Sequence, residues 1–189
     1  MIGVLALQGA VKEHLGSLRR MGVQAREIRT PAHLEGIAGV ILPGGESTTL
    51  GKLMERIGLD RALREFAAAG KPILGTCAGM ILMARAVEGY EQPLLGLMDV
   101  VVRRNAFGRQ VESFEQDLEI SRLDGKKFRA VFIRAPYIVE VGPEVEVMAK
   151  VEGRPVLARE GKLLAAAFHP ELTEDLRLHK LFVEMAEGG

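Results

Sequence analysis

Residues 72–80, Pro-Ile-Leu-Gly-Thr-Cys-Ala-Gly-Met, constrain this chain more than any other stretch. Pro72 to Leu74 is an apolar run that reads as a short buried strand, and Met80 to Ala84 reads as a buried helix. Cys77, the only cysteine, therefore stands at a sharp strand-to-helix turn, with Gly75 and Gly79 two positions to either side. That is the Gly-x-nucleophile-x-Gly spacing of a nucleophile elbow, with sulfur in place of a hydroxyl. Small neighbours let the chain pass close by, and the free N–H groups of a following helix favour a thiolate. A lone cysteine is otherwise a small buried hydrophobe. The paired glycines at the junction are what turn the reading toward chemistry.

The elbow sits in an alternating series. Ile2 to Leu7 is a continuous apolar run, expected as a strand buried on both faces, and it ends at Gln8-Gly9-Ala10. A helix comes next, with Val11, Leu15 and Leu18 at helical spacing and His14 assigned to its polar side. Val23 to Ile28 and Gly39 to Leu42 read as strands, and residues 48–57 and 60–69 as helices. Strand and helix in alternation argue for a parallel sheet covered on both sides. After Gly89 the texture changes. Residues 98–103, 116–120, 128–134, 145–151 and 154–168 are short and β-rich, with a hairpin turn at Glu160-Gly161-Lys162. Thr173 is expected to cap a last helix whose apolar face is Leu178, Leu181, Phe182 and Met185. The fold class is therefore α/β, a mostly parallel central sheet with antiparallel additions in the C-terminal half. Residues 1–189 are read as a single domain, since 189 residues suit one core and no linker or repeat interrupts them.

Composition narrows the function by exclusion. With 25 basic and 25 acidic residues and no block of like charge, nothing calls for nucleic acid or an anionic membrane. One cysteine rules out an internal disulfide and a multi-thiolate metal site. The absence of a long apolar run or a signal-peptide pattern makes the cytoplasm the default compartment.

In an open parallel sheet, chemistry gathers beyond the carboxyl ends of the strands. Gln8, Gly44-Gly45, Cys77 and His169 each come directly after a predicted strand. A thiolate nucleophile needs a base, and of the four histidines only His169 ends an apolar strand; His33 is placed in a loop and His179 in the last helix. Pro170 is expected to hold the chain extended, so that Glu171, two residues on, sets its carboxylate beside the imidazole. The stretch Pro43-Gly-Gly-Glu-Ser-Thr-Thr49 lacks the Gly-Lys-Ser/Thr ending of a phosphate loop. Its glycine N–H groups, at Gly44 or Gly45, could join that of Ala78 in holding a developing oxyanion. Arg103, Arg104 and Arg109 form a loose basic cluster, and Arg134 ends another strand; either could clamp a carboxylate.

Taken together, Gly75-Thr-Cys-Ala-Gly79 and the late His169-Pro-Glu171 resemble the triad (class I) glutamine amidotransferases. Leu7-Gln-Gly-Ala10, Pro43 to Thr49, Arg104-Asn-Ala-Phe-Gly-Arg-Gln110, Phe132-Ile-Arg-Ala-Pro136 and Phe168 to Thr173 narrow the resemblance to the glutaminase subunits of pyridoxal 5′-phosphate synthase, with Ala6 and Ala106 where Gly and Ser are expected. The resemblance implies a three-layer, flavodoxin-like fold. It implies that Cys77, His169 and Glu171 form the triad and that Gly45, Glu46, Ser47, Arg104, Ile133 and Arg134 contact L-glutamine. Gly44, Gly45, Ala78 and Gln8 would surround the oxyanion, with Gln8 near the partner surface. The implied partner is a barrel-fold synthase subunit in a hetero-oligomer, with no cofactor and no metal on this chain. Two rival readings stand beside it: a glutaminase for another synthase, such as imidazole glycerol phosphate synthase, and a non-enzymatic thiol sensor on a similar fold.

Overall fold

The computed structural model describes residues 1–107 and 112–188. In chain order the elements are β1 (Ile2–Leu5), α1 (Val11–Arg20), β2 (Ala25–Ile28), β3 (Gly39–Leu42), α2 (Ser47–Ile57), α3 (Leu59–Ala68), β4 (Ile73–Thr76), α4 (Ala78–Met83), β5 (Ala84–Val87), β6 (Met98–Arg103), β7 (Ser113–Leu118), β8 (Phe128–Ile133), β9 (Tyr137–Val141), β10 (Glu146–Val151), β11 (Arg154–Glu160), β12 (Leu163–Ala166) and α5 (Arg177–Glu187).

The main sheet runs β10-β11-β12-β4-β3-β1-β2. Its five strands from β12 to β2 are parallel, and β10 and β11 extend it antiparallel. Strands β1, β3 and β4 are buried at every position, as continuous apolar runs covered on both faces must be. The crossover β1-α1-β2 moves one way across the sheet, whereas β3-α2-α3-β4 moves the other. Because such crossovers are right-handed, α1 and the α2–α3 pair lie on opposite faces. α5 joins α1 through a contact between His14 and His179, which completes three layers. A three-stranded sheet, β5-β6-β9, and the β7–β8 hairpin carry the remaining strands. No helix among the described residues is long and apolar enough to cross a membrane.

Three local expectations need correction. Thr173 does not cap α5. Residues Pro170–Leu172 form a single 3-10 turn, the Thr173 hydroxyl accepts the Asp175 N–H at 3.3 Å, and the Asp175 carboxylate accepts the Arg177 N–H at 3.1 Å. The polar groups of this segment satisfy one another first, so the helix begins only at Arg177. The helix after Cys77 ends at Met83, and Ala84 already belongs to β5. The strand expected at 116–120 starts earlier, because β7 pairs residue for residue with β8 from Ser113 opposite Ile133 to Leu118 opposite Phe128.

Close packing at the elbow depends on its glycines. A Cβ on Gly79 would lie 2.0 Å from the Leu42 carbonyl oxygen, and one on Gly75 would lie 2.5 Å from the Gly79 carbonyl carbon. Both obstacles are backbone, so neither can yield cheaply. Gly16, in α1, has open space around its Cβ position. We expect Gly79→Ala to lower unfolding free energy by about 3 kcal/mol or more, while Gly16→Ala raises it by about 0.5–1 kcal/mol. Urea unfolding of the two variants beside the parent checks both signs.

Candidate active site

Four adjacent parallel strands, β12, β4, β3 and β1, end at one rim of the sheet. Ala166 stands opposite Thr76, and Leu42 opposite Gly75, so neighbouring chain ends emerge about 4.8 Å apart. Just beyond these strand ends, in order across the rim, stand His169, Cys77, Gly44-Gly45 and Gln8. Strand order also reverses here, since β1 passes to β2 on one side and β3 lies on the other. That is where open α/β sheets place their ligand crevice.

Cys77 occupies the turn with a positive φ of 51°, and its N–H donates to the Ala166 carbonyl at 2.8 Å. The bond ties the elbow to the neighbouring strand and holds a conformation that costs a non-glycine residue of order 1–3 kcal/mol. Its Sγ lies 3.9 Å from the Ile133 carbonyl oxygen. Gly44 packs behind it: a Cβ there would come within 2.5 Å of His169 Cε1 and 3.5 Å of Cys77 Cβ.

His169 and Glu171 are both buried, and His169 Nδ1–H donates to Glu171 Oε1 at 2.6 Å. The pairing is reached differently from the extended segment expected. His169 precedes the 3-10 turn, its own N–H donates to the Val131 carbonyl at 2.8 Å, and Glu171 folds back within the turn. Nε2 makes no hydrogen bond among the described residues. Burial works to lower the imidazole pKa, but the proximity of Cys77 and the bond and charge of Glu171 outweigh it and raise the value to about 10. This shift favours the imidazolium, the form that can give a proton.

A cleft of about 430 Å³ opens in front of this pair. Gln8, Gly45, Glu46, Ser47, Ala78, Arg104, Ile133 and Arg134, all expected at the site, line it with Cys77 and His169; Ile81 and Asn105 are additions. Gly44 and Glu171 stand behind the lining. Glu46 caps α2, accepting the N–H groups of Thr48 and Thr49 and the Thr49 hydroxyl. Partial burial pushes its carboxyl up, yet these bonds and the Arg104 guanidinium prevail and hold its pKa at about 2. Arg104 donates to Glu46 at 3.2 Å, to the Thr48 hydroxyl and to the Gln92 amide oxygen, and lies 4.8 Å over the Tyr90 ring. Gln8 Oε1 accepts the Glu46 N–H at 2.8 Å and so braces the glycine loop. The Gly44 carbonyl accepts from Ala10 N–H at 3.1 Å, so the N–H of the same trans peptide, on Gly45, points the opposite way.

The arginine cluster does not act as one. Arg103 turns to Glu88 and the Tyr137 hydroxyl, because its position on β6 faces away from Arg104. Arg109 lies outside the described residues. His14 is not on a polar face but fully buried, as is His179. Position 14 is three residues after Val11 and four before Leu18, which places it inside the buried stripe with Ser17 and Leu18. Gln92 has no signal in the sequence beyond its type. Among the described residues, three of the five non-glycine positions with positive φ, Cys77, Asn105 and Arg134, line this one cleft. Among the same residues no group of three or more His, Cys, Asp or Glu side chains could hold a metal ion.

Known proteins match this chain over nearly its whole length. The sequence model of the SNO glutamine amidotransferase family matches residues 4–188. The chain is 58% identical over 184 residues to pyridoxal 5'-phosphate synthase subunit PdxT of Moorella thermoacetica, covering 97% of this chain and 98% of that one. It is 56% identical over 183 residues to the protein of the same name from Carboxydothermus hydrogenoformans, covering 97% and 96%. A crystal structure of a glutamine amidotransferase superposes with a TM-score of 0.95 at 52% identity, covering 98% of both chains. PurLQS from Thermotoga maritima shares the fold, with a TM-score of 0.74 at 16% identity and 97% coverage of each chain.

The His169 environment has two measurable consequences. A histidine whose folded pKa is raised adds stability below the ordinary value near 6.5 and loses that contribution as pH rises through about 10. NMR titration should therefore find the His169 ring protonated at pH 8, and in Cys77→Ala its pKa should fall by about one unit or more. Gly44→Ala should displace the ring, because the new methyl would overlap Cε1, and should lower turnover about 100-fold or more. A steady-state assay of the purified variant, with circular dichroism to verify folding, checks this.

Proposed function

The chain belongs to the SNO glutamine amidotransferase family, and we propose that it hydrolyses L-glutamine to L-glutamate and ammonia for a pyridoxal 5′-phosphate synthase. The observation that carries the assignment of roles is the 2.6 Å bond from His169 to Glu171, set directly behind the Cys77 elbow. In this reading Cys77 Sγ attacks the side-chain amide carbon of glutamine. A carbon–sulfur bond forms and the carbonyl electrons move to oxygen. The N–H groups of Gly45 and Ala78 stabilise that oxyanion; Ala78 opens α4, so its N–H has no carbonyl partner inside the helix. On collapse the carbon–nitrogen bond breaks, the nitrogen takes the proton from His169 Nε2, and ammonia departs. Water then loses a proton to His169 as it attacks the γ-glutamyl thioester. Glutamate leaves and the thiolate is restored. Glu171 keeps the imidazole in its Nδ1–H tautomer and stabilises the imidazolium.

The other end of the substrate is a zwitterion, and the cleft offers both signs of charge. Arg104 and Arg134 supply donors for the α-carboxylate, while Glu46, ionised at any working pH, faces the α-ammonium. Ser47 and the backbone of Gly45 and Ile133 complete the contacts. Free ammonia in water is soon protonated and loses its nucleophilicity, so delivery to a bound synthase subunit is part of the function. The relatives are named as subunits of such a synthase. The partner is a barrel-fold subunit in a hetero-oligomer, the working compartment is the cytoplasm, and pyridoxal phosphate is the product of the complex and not a cofactor of this chain. A thiol-sensor role would leave the buried carboxylate behind His169 and the two-signed cleft without a purpose.

Cys77→Ala should abolish ammonia release from glutamine, and Glu171→Gln should retain folding but lose about 100-fold or more in turnover. Arg104→Ala should act mainly on KM. Glutamate formation measured with and without the synthase subunit tests the coupling. Equal rates in the two conditions would reject it, and full activity in Cys77→Ala would reject the nucleophile.

A further inference from the structure

Behind the triad carboxylate lies a second polar layer. Glu171 Oε1 is engaged by His169, but Oε2 is buried and makes no hydrogen bond among the described residues. His14 Nε2 lies 3.4 Å from it. The same nitrogen is 3.1 Å from the Thr76 hydroxyl, on the residue preceding the nucleophile. On the other side of the ring, His14 Nδ1 is 3.0 Å from His179 Nε2, and His179 Nδ1 is itself buried without a partner among the described residues. The row Glu171, His14, His179 thus crosses from the rim of the sheet through α1 to α5, with no exposed member.

Two tautomeric arrangements fit the distances, and they differ in cost. If His14 carries its proton on Nδ1, it donates to His179, whose own proton then points from Nδ1 into a buried site with no acceptor. The lone pair on His14 Nε2 would also face the Glu171 carboxylate. If the proton is on Nε2, His14 donates toward Thr76 and Glu171 and accepts the His179 Nε2–H. The groups without a full hydrogen bond are then acceptors alone, a lone pair on His179 and Glu171 Oε2, and the latter faces the His14 N–H at 3.4 Å. An orphaned buried donor beside repelling negative charge is the worse case.

Resting on the glutaminase reading above, we propose that His14 is a positioning residue for the reaction: as a neutral Nε2–H imidazole it fixes the free oxygen of Glu171 and couples that carboxylate to the Thr76–Cys77 elbow. The titratable and charged groups around His14 are Glu171 and His169 from the turn after β12, His179 from α5, and Arg20, which acts on His179 from the end of α1; Thr76 on β4 is the polar neutral neighbour. Burial, then the nearby His179 and His169, keep His14 well below its ordinary pKa, and burial with Arg20 lowers His179 to about 4. Both rings are neutral when the enzyme works, so neither cancels the charge that Glu171 presents to His169.

The test compares His14→Gln with His14→Met. The two side chains have similar length, and only Gln can place an N–H donor where Nε2 stands. Assayed with the synthase subunit, His14→Met should lose about 10-fold in kcat with little change in KM, and the alkaline limb of its pH–rate profile should move down by about half a unit or more as Glu171 loosens its hold on His169. His14→Gln should recover most of the rate and the limb. Matching kcat and pH limb in the two folded variants would overturn the proposal. Nitrogen chemical shifts of the histidines in the unaltered protein give a reading independent of folding in variants. A His14 that is protonated on Nδ1, or charged at neutral pH, would also overturn it. Inactivity of the unaltered protein on glutamine would instead reject the glutaminase reading, and the tautomer measurement would stand apart from it.

Discussion

The pairing of β12 with β4 is the interaction on which everything else here depends. Without it, Cys77 and His169 are ninety-two positions apart on a polymer with no reason to bring them together. With it, Ala166 stands beside Thr76, the Cys77 N–H donates to the Ala166 carbonyl, and the two chains leave the sheet about one strand spacing apart. The pairing is stabilised by apolar runs buried on both faces, Ile73-Leu74 on one strand and Leu164-Ala165-Ala166 on the other. It is also a long-range parallel contact, the kind that forms late because loop closure must precede any gain from burial. The catalytic geometry is therefore among the last parts of the chain to be assembled and is only as firm as the sheet core beneath it.

That core also explains where backbone strain collects. Cys77, Asn105 and Arg134 hold positive φ around one cleft, on three different segments. Each is anchored from outside itself: Cys77 by Ala166, Ala106 beside Asn105 by the Ala135 carbonyl, and Arg134 by the Glu112 carbonyl. Such conformations persist when their surroundings over-determine them, and their concentration at one opening is what a site shaped for a ligand, and not for stability, would show.

The buried parallel strands are legible in continuous apolar runs, and the elbow in the glycine pair around Cys77, because both signals are local and steric. The position of His169 directly after an apolar strand is enough to put it at the right rim. The misreadings have physical reasons. The polarity of histidine points His14 to the outer side of α1, although its spacing from Val11 and Leu18 puts it on the buried stripe; here period outweighs residue type. Thr173 has the chemistry of a helix cap but uses it on Asp175, a competition between local polar groups that sequence alone does not resolve. Arg103 and Arg104 are adjacent yet serve different faces, since neighbours on and just beyond a strand point apart.

The charge balance of the buried layer gives the site its direction. Glu171 is a carboxylate taken out of water, and such a group keeps its charge only when something opposite in sign answers it. Two imidazoles, His169 and His14, lie beside it and His179 lies beyond His14, but a proton on either inner ring would offset Glu171 from behind and leave His169 an ordinary base. Burial and the neighbouring rings at His14, and burial with Arg20 at His179, make the inner two the poorer places for a proton. His169 is the ring with an opening beside it and a thiol to share the charge. The proton is thus directed to the one imidazole that can reach a leaving nitrogen, by desolvation of the other two as much as by attraction to Cys77 and Glu171.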